Sequence, residues 1–274
     1  MLEQQLDLGR LVSLRALEFV MGQKQARALS ELLIRVGMRG LGINIDYRLP
    51  HSGELVLLRK VMPLCGNKVC FDVGANVGDY AQSLLDFGAN AIVAFEPGKE
   101  AFEQLSSRLG RDPKLTLKNL AVGEKAGVVP FFIPTSSTLA SRDCTITAIG
   151  ADDFVEMTVN MVSLDDFVES EKVLPDFVKI DVEGFELEVI LGMRKLVQTH
   201  PPKFIQFELN RHHLLRHQNL LDFAEHLPNY SLFRLATHSL RPLKPDHYMA
   251  NVFSYSNIVA VHESVREETV RLMC

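Results

Sequence analysis

The stretch KVCFDVGANVGDY, residues 68–80, decides the fold. Its first half, KVCFDVG, is a short apolar run with β-branched and aromatic residues, which reads as a buried strand. Gly74 and Gly78 then turn the chain, and DYAQSLLDFG from Asp79 reads as a helix. The same alternation continues outward. AIVAFEP (91–97) is a second strand, KEAFEQLSSRLG (99–110) a helix and LTLKNLAVG (115–123) a third strand. It returns with SLDDFVESE (163–171) as a helix, FVKIDVEG (177–184) as a strand, FELEVILGMRKLVQT (185–199) as one helix and PKFIQFELN (202–210) as a strand. Strands alternating with helices of this length imply βαβ units and a parallel sheet. Between the two blocks, VVPFFIP (128–134) and VEMTVNMVSL (155–164) read as strands flanking a Ser/Thr-rich loop. YSLFRLA (230–236) and FSYSNIVAVH (253–262) are the last strands, bracketing a loop that contains Pro242 and Pro245.

The first fifty residues carry helical periodicity, in Leu11, Leu14, Leu17 and Met21 and again in Leu29, Leu32, Leu33 and Val36, with Gly37 and Gly40 as stop signals. They read as an amphipathic layer packed on the main domain. Arg10, Arg15, Lys24, Arg27, Arg35 and Arg39 leave a dimerisation or membrane-surface helix as the alternative. The expected organisation is a helical extension over 1–50 and one α/β domain over 51–274, joined by a connector with a short helix, ELVLLRKVM.

Composition excludes several classes. The chain has 274 residues, 47% hydrophobic and 23% charged, which is enough to bury a sizeable core and unlike a disordered tail. A net charge of −5 gives no footprint for a nucleic-acid backbone, which needs clustered positive charge. Cys65, Cys70, Cys144 and Cys274 are scattered without CxxC or zinc-type spacing, so a reduced, cytoplasmic protein is expected. No stretch approaches 18 apolar residues, and Glu3, Asp7, Arg10, Arg15 and Glu18 interrupt the N-terminus where a signal peptide would need an unbroken run.

The strand-to-helix turn carries the chemistry. Gly74 and Gly78 let the backbone approach a ligand where a Cβ would obstruct it, and the free N–H groups of the helix face the same spot. Glu96 ends the next strand, 24 residues beyond Asp72, placed to accept hydrogen bonds from two ribose hydroxyls. Together these features specify an adenosine-containing ligand at the carboxyl ends of parallel strands. A dinucleotide site reads GxGxxG and seats a pyrophosphate. Here the pattern is GxNxG with Asp72 two positions ahead, which repels a pyrophosphate and suits a ligand with an ammonium and a sulfonium. S-adenosylmethionine is therefore favoured over NAD, and a methyltransferase over a dehydrogenase.

The ordered series FDVGANVGDY, AFEPGKEAFEQL, LKNLAVGEKAG, VSLDDF, VKIDVEGFELEVILGM and PKFIQFELN resembles the FkbM-type family of S-adenosylmethionine-dependent methyltransferases, from about Lys68 to Glu208. The resemblance implies a class I methyltransferase (Rossmann-like) fold. That is a seven-stranded, mostly parallel sheet in a three-layer α/β/α arrangement, with the last strand antiparallel. It also implies methyl transfer, usually to oxygen and often to a sugar hydroxyl of a glycan or small molecule. Carried onto this chain, Asp72, Gly74, Asn76 and Gly78 would line the methionine end of the cofactor. Glu96 would hold the ribose and Pro97 shape the loop beneath it. Asn119, Ala121 and Val122 would meet the adenine, and Ser136 and Ser137 match a family Ser pair that would close over the cofactor. An N-methyltransferase, a non-sugar acceptor and a non-catalytic scaffold retaining the fold are the rivals.

Asp181 and Glu183 stand at the mouth of the sheet, where two carboxylates are costly unless they meet a cation or a hydroxyl; Glu186 reads as a helix-start anion. Transfer to a hydroxyl of high pKa needs alignment and a proton acceptor. The candidate catalytic residues are Asp181, Glu183, Glu208 and His212. A divalent metal on Asp181 and Glu208 is the alternative to a side-chain base. His213 and His217, four apart on an expected helix, lack a third zinc ligand and read as a polar face lining the acceptor cleft or solvent. His238, His247 and Tyr248 fall in the late loop, expected to be an acceptor lid. A homo-oligomer through the N-terminal helices belongs to the dimerisation alternative.

Overall fold

The computed structural model describes residues 21–23, 26–46, 48–134 and 154–274. Residues 1–20, most of the Ser/Thr-rich loop, Ser136, Ser137 and Cys144 lie outside the described residues. The order of elements begins with α1 (Arg27–Gly40), α2 (Leu49–Ser52) and α3 (Glu54–Val61). β1 (Val69–Val73), α4 (Asp79–Asp86), β2 (Ala91–Phe95), α5 (Lys99–Leu109) and β3 (Leu115–Lys118) follow in the expected alternation. Then come β4 (Ala121–Val122), β5 (Gly127–Pro134), β6 (Phe154–Val162), α6 (Leu164–Glu171), β7 (Phe177–Ile180), α7 (Glu186–Leu191) and α8 (Arg194–Thr199). The last third holds β8 (Phe204–Leu209), α9 (Arg211–Leu215), α10 (Leu220–Glu225), β9 (Tyr230–Leu235), β10 (Leu240–Pro242), β11 (Ser256–His262) and α11 (Glu263–Met273).

The main sheet runs β10-β9-β11-β8-β7-β1-β2-β3. Its central pairs β1–β2, β1–β7, β2–β3 and β7–β8 are parallel, while β11 is antiparallel to both β8 and β9. This is the class I methyltransferase arrangement with one strand more than the expected seven. β10, hidden in the proline-containing loop, adds an antiparallel edge beside β9.

Helices cover both faces. On one, Phe71, Val73, Val178, Ile180, Ile205 and Phe207 pack against α6, α7, α8 and α10. On the other, Cys70, Phe177, Phe204 and Val259 pack against α3, α4 and α11. This second face is apolar only toward the amino ends of the strands. Toward the carboxyl ends it carries Asp72, Lys179, Gln206 and Asn257, all under 9% exposed. The register sets Asp72 beside Lys179, Lys179 beside Gln206, and Glu208 beside Asn257.

Several expectations are corrected. LTLKNLAVG is not one strand. It splits into β3 in the main sheet and β4 in a second, three-stranded sheet ordered β4-β6-β5, because the chain leaves the main sheet at Asn119 and Leu120. The predicted helix 185–199 breaks at Gly192, where a Cβ would stand 2.0 Å from the Gly123 carbonyl oxygen. α9 ends at Leu215 and His217 lies beyond it with a positive φ, so His213 and His217 do not share a helix. α1 does not form a packed layer. None of its residues is buried, and Leu29, Leu32, Leu33 and Val36 are 50–61% exposed. The packed structure instead takes in the chain from Ile43, which is fully buried. Among the described residues, no helix is long and apolar enough to cross a membrane.

Phe207 and Phe223 stack at 4.8 Å and both are fully buried. Phe207→Ala is expected to cost about 3–5 kcal/mol in denaturant unfolding. Leu32→Ala on the exposed face of α1 is expected to change it by less than about 0.5 kcal/mol.

Candidate active site

A cleft of about 1720 Å³ opens at the carboxyl ends of β1, β2, β7 and β8. One wall is the β1–α4 turn, residues 74–77, with Glu96, Pro97 and Gly98 after β2 and Leu120, Ala121 and Val122 at β4. The small sheet adds Phe131 and Met157. The rest of the lining comes from residues after β7, from Glu208 and the residues that follow β8, from α2 with the start of α3, and from Phe253, Ser254, Tyr255 and Asn257 around the start of β11.

The glycines of the turn answer first to the protein itself. Gly74 has φ +82°, and a Cβ there would stand 1.8 Å from the Asp181 carbonyl oxygen, so it lets the ends of β1 and β7 meet. At Gly78, φ +91°, a Cβ would stand 2.6 Å from Leu105 Cδ1 on α5. Gly74 also lines the cleft, and Gly78 is not among the residues that do. Asn76 also has positive φ, +48°, the conformation asparagine tolerates best after glycine.

Glu96 is 7% exposed in the cleft wall. Its Oε2 accepts from the Asn76 amide at 2.8 Å and its Oε1 from the Gly98 amide at 2.7 Å. Burial pushes its carboxyl above the ordinary value, against the pull of the two amides. Asn119 does not line the cleft. Its Nδ2 donates to the carbonyls of Glu96 and Pro97 at 2.8 and 3.1 Å, holding the loop after β2 in shape. Ser137 lies outside the described residues.

Asp72 does not reach the cleft either. It is fully buried behind the turn, 3.8 Å from the Lys179 ammonium, and burial pushes its carboxyl up to about 6. Lys179 is the residue that sequence reasoning passed over. Its Nζ donates to Asp181 Oδ2 at 3.0 Å and lies 5.2 Å from the centre of the Tyr80 ring. Burial works against its charge, but Asp181, Asp72 and Glu54 outweigh it and hold the ammonium above its ordinary pKa. Behind it the polar row continues. The Tyr80 hydroxyl donates to Gln206 Oε1 at 2.6 Å, and Gln206 Nε2 donates to Glu54 Oε1 at 2.7 Å and to Asn257 Oδ1 at 3.0 Å. A Lys at an interior strand position, opposite an Asp of the neighbouring strand, was the available signal.

The four candidate catalytic residues come together. Asp181, Glu183, Glu208 and His212 all line the cleft. Glu183, with φ +55°, is pushed up to about 8 by burial and then by Asp181 and Glu186. Glu208, half-buried, accepts from Asn210 Nδ2 at 2.7 Å; burial, then Asp181 and Glu183, raise it well above the usual carboxylate range. His212 is 7% exposed, with Nδ1 3.6 Å from Glu183 Oε2, and burial lowers its pKa. Glu186 and His213 form a separate, wholly buried pair at 2.8 Å. The Val182 and Gly184 amides also donate to Glu186 Oε1, so both residues serve the β7–α7 turn and not the acceptor. His238, His247 and Tyr248 are not among the residues that line the cleft. For a divalent metal the donor set fits poorly: Asp181 already faces the Lys179 ammonium, and no group of three His, Cys, Asp or Glu among the described residues is placed to ligate one.

Residues 72–232 match the Methyltransferase FkbM domain family model, more than half of the chain, and the chain belongs to that family. A search of curated proteins finds similarity to hexuronic acid methyltransferase AglP of Haloferax volcanii, 33% identical over 133 residues. The match covers 48% of this chain and 52% of that protein, so the chain spans about half the length of this relative. Among solved structures, an O-methyltransferase from Bacillus cereus in complex with SAH is 11% identical with a TM-score of 0.43, covering 84% of this chain and 89% of that one. A putative O-methyltransferase from Klebsiella pneumoniae is 11% identical with a TM-score of 0.42, covering 89% and 95%.

Two outcomes follow from the charges. Lys179→Met leaves buried carboxylates without their cation and is expected to cost about 3–5 kcal/mol of stability; adding Asp72→Asn should restore part of it in a double-mutant cycle. Glu183 has a folded pKa near 8 against an ordinary value of 4.5, so the native state holds its proton where the unfolded chain has lost it. Its contribution to stability is full below about 4.5 and is lost as pH rises through 8. Melting curves from pH 5 to 9 should therefore fall less steeply for Glu183→Gln than for the unmodified protein.

Proposed function

We propose that the chain is an S-adenosylmethionine-dependent methyltransferase acting on a hydroxyl of a sugar or of a sugar-bearing small molecule. The observation that carries this reading is the shared cleft: Glu96 at the end of β2 faces the same space as Asp181 and Glu183 after β7, Glu208 near the end of β8 and His212 beyond it. The residues present suit the cofactor. A carboxylate has about four acceptor sites, and the two backbone bonds to Glu96 leave capacity for ribose hydroxyls. Carboxylates that raise one another's pKa are relieved by a positively charged ligand. The relative from Haloferax volcanii is named for hexuronic acid methylation, which supports a sugar acceptor here.

When bound, S-adenosylmethionine supplies an activated methyl group for in-line transfer to the acceptor oxygen. The chain aligns the acceptor and removes its proton. Glu208 is the base we favour, because it stands in the cleft with Asp181 and His212, and the burial that raises its carboxyl makes it a stronger acceptor of a hydroxyl proton. Asp181, held by Lys179, fixes the orientation. His212, kept neutral by burial, faces the same space and can share the proton.

Glu96→Ala is expected to weaken cofactor binding by about 1.5–3 kcal/mol in calorimetric titration, the scale of a charged hydrogen bond. Glu208→Gln should lower turnover by about 10²-fold or more while leaving cofactor affinity within a few-fold. Unchanged affinity in the first variant, or unchanged turnover in the second, contradicts the assigned role.

A further inference from the structure

Resting on the methyltransferase reading, we infer that the half of the cleft walled by α2, the start of α3 and residues 253–257 is the acceptor site, and that it takes an uncharged sugar ring in preference to one bearing a carboxylate. Size is the first reason. At about 1720 Å³ the cleft exceeds the roughly 300–1,000 Å³ of a single small-ligand pocket, so it holds space for a second ligand beside the cofactor.

The walls of this half suit a sugar. Leu49, Leu55, Phe253 and Tyr255 offer apolar and aromatic surface to the C–H face of a ring. Asp181, Glu208 and Asn257 offer acceptors to its hydroxyls. The Tyr255 hydroxyl accepts from Asn257 Nδ2 at 3.1 Å, which orients it to donate its own proton elsewhere. An independent observation points to a missing polar partner. His212 Nδ1 is buried in the cleft wall with no hydrogen-bond partner among the described residues, and its 3.6 Å approach to Glu183 is too long to be one. A buried polar atom of this kind is satisfied by a ligand group or by water.

Charge decides which sugar. The cations of this half among the described residues each stand near a carboxylate of the chain. Lys179 faces Asp181 and Asp72, Arg48 Nε donates to Asp46 at 2.9 Å, and Arg211 lies within electrostatic reach of Glu183. An incoming carboxylate would compete with the chain's own carboxylates for these cations and would stand beside Glu183 and Glu208, whose pKa values burial and neighbouring carboxylates have already raised. A neutral ring meets no such opposition. The selection works by repulsion as much as by contact.

The test uses the full chain saturated with the demethylated cofactor, titrated calorimetrically with methyl glucopyranoside and, separately, with its uronate counterpart. The neutral ring is expected to bind at least tenfold more tightly at pH 8. The ratio should widen from pH 6.5 to 8.5 as Glu183 ionises, a readout that needs no variant. Glu183→Gln should narrow the ratio at least threefold by improving uronate binding, and Tyr255→Phe should weaken the neutral ring. Equal or tighter uronate binding overturns the inference, as does failure of both rings to bind while the cofactor binds. Failure of the cofactor itself to bind overturns the methyltransferase reading instead, and the inference with it.

Discussion

The ion contacts of Lys179 are the constraint on which the cleft depends. A strand buried on both faces has no natural place for a charge, yet three neighbouring strands bring Asp72, Lys179 and Gln206 side by side toward their carboxyl ends. The ammonium satisfies two needs at once. It compensates Asp72 in the interior and holds Asp181 at the surface of the cleft. Without it, one carboxylate is orphaned in the core and another is released among Glu183 and Glu208. Buried ion pairs seldom add stability over an apolar core, so their value lies in what they position. Here that is a carboxylate at the end of β7, next to the place where β1 turns away.

The same row ties the N-terminal part of the domain to the site. Glu54, at the start of α3, is reached through Gln206 and is fixed by Ser52 Oγ at 2.6 Å. Residues that the sequence pattern reads as a connector thereby become a wall of the cleft. The lining of the cleft has two origins: part is built from the β1–β4 region, and part from residues 48–55 and 253–257 together with those that close β7 and β8.

The sequence revealed the parallel sheet because strand and helix periods alternate cleanly from Lys68 to Leu109, and again from Ser163 to Asn210. It hid β10, whose three residues sit among prolines, and the break at Gly192, which arises from a tertiary approach to Gly123 that no local pattern records. Of the site, Glu96 and the carboxylates after β7 and β8 were legible, since their positions at strand ends follow from the topology. The structural duties of Asp72 and Asn119 were not. A carboxylate two residues before a glycine turn looks the same whether it points into the cleft or behind it, and the choice rests on strand register. His212 and His213 illustrate the same limit: adjacent in sequence, one faces the cleft and the other seals a turn with Glu186.

The most direct test of the whole account is a crystal structure with the demethylated cofactor bound. The account predicts the ribose hydroxyls on Glu96 and the sulfur directed toward Asp181, Glu208 and His212, with the space beside α2 and Tyr255 left open. A cofactor seated elsewhere, or one lying across the α2 side with Glu96 untouched, would contradict it.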